Sequence, residues 1–199
     1  MSKLVKSYRW DLVRRLSEII TEPNNSILIH KYTSDGVLID TESLFILLAG
    51  IYFKRFNKNH LKKNYDIEDF DLFGKFLLKY GIKKLFITPH VLTELFYWIA
   101  KCKDKEFTEF SARNLSLDGK NNNFLSCFEL NLDKNIILKH SEIANIDLAD
   151  VGLCIKLLDF KSIITEDCDV YRICGDLRYR DKLIISIRDD IRNLPKLMK

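Results

Sequence analysis

Apolar residues recur along this chain in two rhythms, and the alternation between them predicts the fold. Over residues 3–21, Leu4, Tyr8, Leu12, Leu16 and Ile19 stand at helical spacing among Lys and Arg, which predicts a basic amphipathic helix. The break Glu22-Pro23-Asn24-Asn25 ends it, and residues 26–31 then read as a short strand before the turn Ser34-Asp35-Gly36. Val37-Leu38-Ile39 predicts a strand feeding a helix over residues 43–53. Residues 66–80 place Phe70, Phe73, Leu77 and Leu78 on one side, with Gly81 as the stop, so another helix is expected there.

Leu85-Phe86-Ile87 predicts a second strand, and Thr88-Pro89 supplies an N-cap and a first-turn proline for a helix reaching residue 101. Residues 103–130 read as helical at both ends around a turn at Asp118-Gly119-Lys120-Asn121. Ile136-Ile137-Leu138 is expected as the third strand, followed by a helix over 147–160 and a strand at Ile163-Ile164. A short helix over 170–174 and a strand over 183–187 complete the pattern. Strands alternating with helices imply an α/β fold, a mostly parallel sheet covered on both faces. Residues 1–34 are read as an N-terminal amphipathic helix with its connecting segment, and residues 35–199 as one domain.

Composition narrows the class. A chain of 199 residues, 47% hydrophobic and 30% charged, suits a single globular domain. The apolar run over residues 43–53 is about half of the ~20 residues a spanning helix needs. Charges alternate with apolar residues at the N-terminus, unlike a secretory leader, so a cytoplasmic protein without a membrane partner is expected. The five cysteines are odd in number, scattered and free of C-x-x-C spacing, which disfavours disulfides and zinc; Cys154 reads as core.

The formal charge of +4 permits a nucleic-acid partner. Locally, Lys54, Arg55, Lys58, His60, Lys62 and Lys63 crowd one stretch among Phe53, Phe56 and Tyr65. A solvated loop is one reading of that stretch. A phosphate-gripping patch of Lys54, Arg55, Lys58, Lys62 and Lys63 is the other.

The acids carry the chemistry. Asp40 ends the first βα strand, Glu94 lies early in the helix after the second, Asp150 opens the helix after the third, and Asp167 follows the fourth. In a parallel sheet with right-handed crossovers, all these positions reach the carboxyl edge, where ligands bind. Neighbouring carboxylates repel, so they take up protons or a cation, and oxygen-only ligands select Mg²⁺ or Mn²⁺ over zinc. Metal-dependent phosphodiester hydrolysis is the chemistry such a cluster suits. Each acid also has a plain structural reading, as a helix-start residue that caps or complements the dipole or, for Glu94, as an exposed helix residue. For Asp147 that reading is preferred, with Asp150 three residues on as its capping partner.

At these residues the chain resembles the PIN-domain family of metal-dependent ribonucleases. The resemblance runs through four blocks in family order, from about Gly36 to Ile187. They are Val37-Leu38-Ile39-Asp40-Thr41-Glu42-Ser43-Leu44, Ile87-Thr88-Pro89-His90-Val91-Leu92-Thr93-Glu94-Leu95, Leu148-Ala149-Asp150-Val151-Gly152-Leu153-Cys154-Ile155 and Ile163-Ile164-Thr165-Glu166-Asp167-Cys168-Asp169-Val170. The resemblance implies a three-layer α/β/α nuclease domain over residues 35–199 with a five-stranded sheet. Asp40, Glu94, Asp150 and Asp167 would be its metal-site acids, Asp169 an auxiliary acid and Thr165 an orienting hydroxyl. RNA is the implied substrate, cut to a 3′-hydroxyl and a 5′-phosphate. Many family members are toxins held by a protein inhibitor, an antitoxin, and many form homodimers. Glu42 departs from the family pattern, which has a small polar residue there; it either joins the site or faces solvent.

Two rival readings stand beside this one. A PIN-like fold that binds nucleic acid or protein without cutting would keep the same motifs. The stretch Asp35-Gly36-Val37-Leu38-Ile39-Asp40 also resembles the first motif of haloacid-dehalogenase-like phosphatases, with Gly175-Asp176 and Asp181 mimicking a later one. That chemistry needs an Asp nucleophile where this chain has Thr33, and a hydroxyl there cannot form an acyl phosphate.

Overall fold

A computed structural model of the chain describes residues 14–16, 19, 24–115, 126–139, 146–174 and 176–194. Its centre is an all-parallel sheet of β1 (Arg14–Arg15), β2 (Val37–Ile39), β3 (Lys84–Ile87), β4 (Ser126–Glu129), β5 (Ser162–Ile164) and β6 (Leu183–Ile185). The order across the sheet is β1-β6-β5-β2-β3-β4. Five strands form the body of the sheet and the two-residue β1 adds an edge through Arg14↔Leu183 and Arg15↔Ile184. The expected α/β architecture is therefore present, a sheet of short, mostly apolar strands between helical layers. Strands β2, β5 and β6 are buried at every position, which only a sheet covered on both faces allows.

The helices are α1 (Asn25–Thr33), α2 (Thr41–Phe56), α3 (Ile67–Lys79), α4 (Pro89–Lys101), α5 (Lys105–Leu115), α6 (Lys134–Leu138), α7 (Leu148–Leu157) and α8 (Cys168–Cys174). A 3-10 turn (Leu177–Tyr179) precedes β6, and a π-helical turn (Ile187–Ile191) follows it. Helix α2 buries residues from Thr41 to Tyr52 all round its axis, because α3, α4 and α5 pack against it. A left-handed Asn57 at φ 56° ends it. Close approach to α3 requires glycine at position 50, where a Cβ would lie 2.2 Å from the Phe70 ring.

Helix α3 begins with a reciprocal capping box between Asp66 and Asp69 and stops before Gly81, whose φ is 65°. Thr88 caps α4 by accepting from the Val91 amide at 3.4 Å, with Pro89 in the first turn as expected. Cys154 is fully buried in the core.

Three expected elements are corrected. Residues 26–31 belong to helix α1, not a strand: Ile29, Tyr32 and Thr33 are buried at helical spacing while Ile27 is exposed. Ile136-Ile137-Leu138 lies in α6, where Asp133 caps the turn and only Ile137 is buried. The strand preceding the Asp150 helix is instead β4, within a stretch expected to be helical, and it pairs with β3 from Lys84↔Ser126 to Ile87↔Glu129. The amphipathic helix expected over residues 3–21 lies mostly outside the described residues; of that stretch Arg14–Arg15 is extended, and Leu16 and Ile19 are helical and buried.

Candidate functional site

Strand order places the site. From β2 the chain moves outward on one side to β3 and β4, then returns to the other side of β2 for β5 and β6. The reversal lies between β2 and β5, which pair through Leu38↔Ile163 and Ile39↔Ile164. A crevice opens beyond the carboxyl ends of strands at such a switch point. Asp40 directly follows β2 and Thr165-Glu166-Asp167 directly follow β5.

Asp40 is held from three sides. Its Oδ1 accepts from the Ser43 amide at 2.7 Å, capping α2, while Oδ2 accepts from the Thr165 hydroxyl and the Glu166 amide, both at 2.7 Å. Burial nonetheless outweighs these bonds and pushes its carboxyl up to about 6. The orienting role expected for Thr165 has a geometric counterpart, because its hydroxyl also accepts from the Asp167 amide at 3.1 Å.

A cavity of about 280 Å³ sits here, lined by Asp40, Glu42, Glu94, Asp147, Asp150 and Asp167 together with Thr41, Lys62 and Trp98. The fold thus gathers all four predicted metal-site acids. Glu94 accepts from the Thr41 hydroxyl at 2.6 Å. Asp167 caps α8, with Oδ1 accepting from the Asp169 amide at 2.6 Å. Asp147 caps α7 through the Ala149 amide at 3.0 Å, as preferred, yet it also faces the cavity. Burial, then the charges of Asp167, Asp40, Asp147 and Glu94, push the Asp150 carboxyl up to about 8. Among the described residues, no three His, Cys, Asp or Glu side chains are arranged to hold a metal ion as they stand.

Other predicted residues fall elsewhere. Asp169 does not line the cavity and pairs with Arg172 at 3.2 Å along α8. Glu42 does line it, and meets Lys62 at 3.5 Å. The basic stretch does not form one free positive patch: Lys54 pairs with Asp71 at 2.8 Å and Lys58 with Glu106 at 2.7 Å. Those partners lie on α3 and α5, far along the chain. Of Lys54, Arg55, Lys58, Lys62 and Lys63, only Lys62 reaches the cavity.

Three participants are additional to the predicted set. Thr41 and Trp98 line the cavity, and Trp98 stands four residues after Glu94 on the same face of α4, a spacing that carries the signal. Glu166 is buried for a different purpose. It accepts from the Ser186 hydroxyl at 3.0 Å, the Ile187 amide and the Arg188 Nε at 2.7 Å, tying the end of β5 to the π-helical turn.

Thr33, Asp35, Asp176 and Asp181 of the phosphatase-like reading do not line this cavity. Thr33 is buried at the end of α1 with its hydroxyl donated to the Ile29 carbonyl at 2.9 Å, and Asp176 is exposed and paired with Arg178. No helix among the described residues is long and apolar enough to cross a membrane. No protein-family model, curated protein or solved structure matches the chain.

Proposed function

We propose that this chain is a metal-dependent hydrolase that cuts RNA phosphodiester bonds in the cytoplasm, the activity its PIN-like motif order implies. The observation that carries the proposal is the meeting of Asp40, Glu94, Asp150 and Asp167, from four separate βα units, in one cavity at the sheet's switch point. The donors fit a hard divalent cation, since the acidic lining offers oxygen alone, without His or Cys. The raised Asp150 carboxyl is consistent with this: burial first, and then its neighbours' charges, oppose its ionisation, and a bound cation would offset those charges. Asp40, Glu94, Asp150 and Asp167 would hold Mg²⁺ or Mn²⁺, with Glu42 and Asp147 beside them. When bound, the ion supplies activation of water and neutralisation of charge on the phosphate.

The chain's own hydrogen bonds prepare that arrangement. Thr165 and the Glu166 amide hold Asp40 in one orientation, and Thr41 does the same for Glu94. Locked donors of this kind let a site act without reorganising.

A nucleic-acid-binding module that does not cut is the second reading, favoured by the absence of a ready three-ligand group among the described residues. One assay separates the two. Purified protein is given a mixed RNA pool, or single-stranded DNA, with Mn²⁺ or Mg²⁺. Cleavage by the wild type that Asp40→Asn and Asp150→Asn lose supports the enzyme. RNA retention without cleavage beyond those controls supports the module.

A further inference from the structure

The loop over residues 57–66, between α2 and α3, crosses to the acidic cavity and is tied down along its length. Lys58 pairs with Glu106, and His60 Nε2 lies 3.0 Å from Asp104 Oδ2 with its ring against those of Tyr52 and Phe107. Further on, the Tyr65 amide donates to the Lys62 carbonyl at 2.9 Å, and Arg192 Nη2 donates to the Asn64 carbonyl at 3.0 Å. These ties place Lys62 at the mouth of the cavity. Its Nζ stands 3.2 Å from the centroid of the Trp98 ring and 3.5 Å from Glu42.

We propose that Lys62, seated on Trp98, is the phosphate-binding residue of a subsite for single-stranded RNA, and that Glu42 holds its ammonium until a strand arrives. The proposal rests on the nuclease reading and names how that site takes its substrate. A phosphodiester entering the cavity meets a wall of carboxylates, and among the cavity-lining residues Lys62 is the cation that offsets them. The Glu42 partner is easily exchanged: the pair is long and both side chains are partly exposed, 37% for Lys62 and 26% for Glu42. Trp98 keeps the ammonium in place through its ring face, and an aromatic beside a cation is the combination that grips single strands. A cavity of about 280 Å³ has room for part of one strand. Lys54 does not line the cavity and pairs instead with Asp71, so it serves as an internal control.

The test measures fluorescence anisotropy of a labelled RNA oligonucleotide, single-stranded and as its duplex, on full-length Asp150→Asn protein across a salt series. Lys62→Ala is expected to weaken single-strand binding about tenfold and to reduce the salt slope by about 0.7, the loss of one phosphate contact. Lys62→Arg should retain binding, Trp98→Leu should weaken it, and Lys54→Ala should change it less than about twofold. Where Lys62→Ala lowers the melting temperature, Lys62→Gln takes its place. Equal effects of Lys62→Ala and the Lys54→Ala control, tight binding of duplex, or no RNA binding by the parent would each overturn the subsite. Cleavage separates the two levels of argument. Wild type that cuts while Lys62→Ala keeps its KM removes the subsite alone. Wild type that neither cuts nor binds Mn²⁺ removes the nuclease reading, and the anisotropy series still decides Lys62.

Discussion

Thr165 donates its hydroxyl to Asp40 Oδ2 at 2.7 Å, joining two residues 125 positions apart in the chain. The bond exists because β2 and β5 are neighbours, and it orients a buried carboxylate at the edge of the acidic cavity. Thr165→Val keeps the volume but removes both the donor to Asp40 and the acceptor for the Asp167 amide. It is expected to cost about 1–3 kcal/mol of stability, the range for stranding buried polar groups. Thr165→Ser should recover most of that loss. Urea unfolding midpoints of the two variants check the assignment, and equal midpoints would sink it.

The raised carboxyls make stability depend on pH in a defined direction. Unfolded, Asp40 and Asp150 ionise near 3.8; folded, they hold their protons up to about 6 and about 8. The folded chain therefore binds more protons in that interval, and the stability this contributes is full below the unfolded value and lost as pH rises through the folded ones. Metal-free wild type should lose stability between about pH 4 and pH 8 relative to Asp150→Asn, with the gap widening toward the upper end. Denaturation in EDTA across that range measures it. A gap independent of pH would show that Asp150 is not under the pressure its neighbours impose. Mn²⁺ should close the gap by stabilising wild type and not the variant.

How much of this was readable from the chain depends on the range of the forces involved. Strands β2, β3, β5 and β6 are short apolar runs bounded by turns or caps, and those signals are local. The runs at 26–31 and 136–138 are equally apolar yet helical, because three or four apolar residues do not distinguish a strand from one turn of helix. Strand β4 is Ser-Cys-Phe-Glu at an edge, only partly buried, and its pairing with β3 forms it more than its own pattern does. The acids were legible because each lies just beyond a strand or early in the next helix. The neutralisation of Lys54 and Lys58 was not, since Asp71 and Glu106 reach them only after the helices pack.

Glu166 lies between Thr165 and Asp167 but belongs to the scaffold. Its side chain is 1% exposed and paired with Arg188 at 2.7 Å, and it also accepts from Ser186 and Ile187. Glu166→Ala should destabilise the fold by about 2–4 kcal/mol, because it strands buried donors as well as the guanidinium. Mn²⁺ affinity of the folded Glu166→Gln protein should stay within about threefold of wild type, less than 1 kcal/mol. A folded Glu166→Gln protein that has lost Mn²⁺ binding would make Glu166 a ligand and refute the division drawn here.

The approach of α2 to α3 is a separate constraint, and it bears on the site because α2 begins at the Asp40 cap. A Cβ at position 50 would stand 2.2 Å from two atoms of the Phe70 ring, so the ring or the helices must shift to admit one. Gly50→Ala removes the helix penalty of glycine, worth about 1 kcal/mol in a helix interior. Overpacking costs about 1–3 kcal/mol, so a net loss of stability is expected. Phe70→Leu alone should also destabilise by removing ring contacts. The double variant should be more stable than the sum of the single losses predicts, with a coupling of about 0.5–3 kcal/mol between residues in contact. A double-mutant cycle in urea reads this directly. Strict additivity would mean that the two helices are not held at the distance the Gly50–Phe70 contact sets.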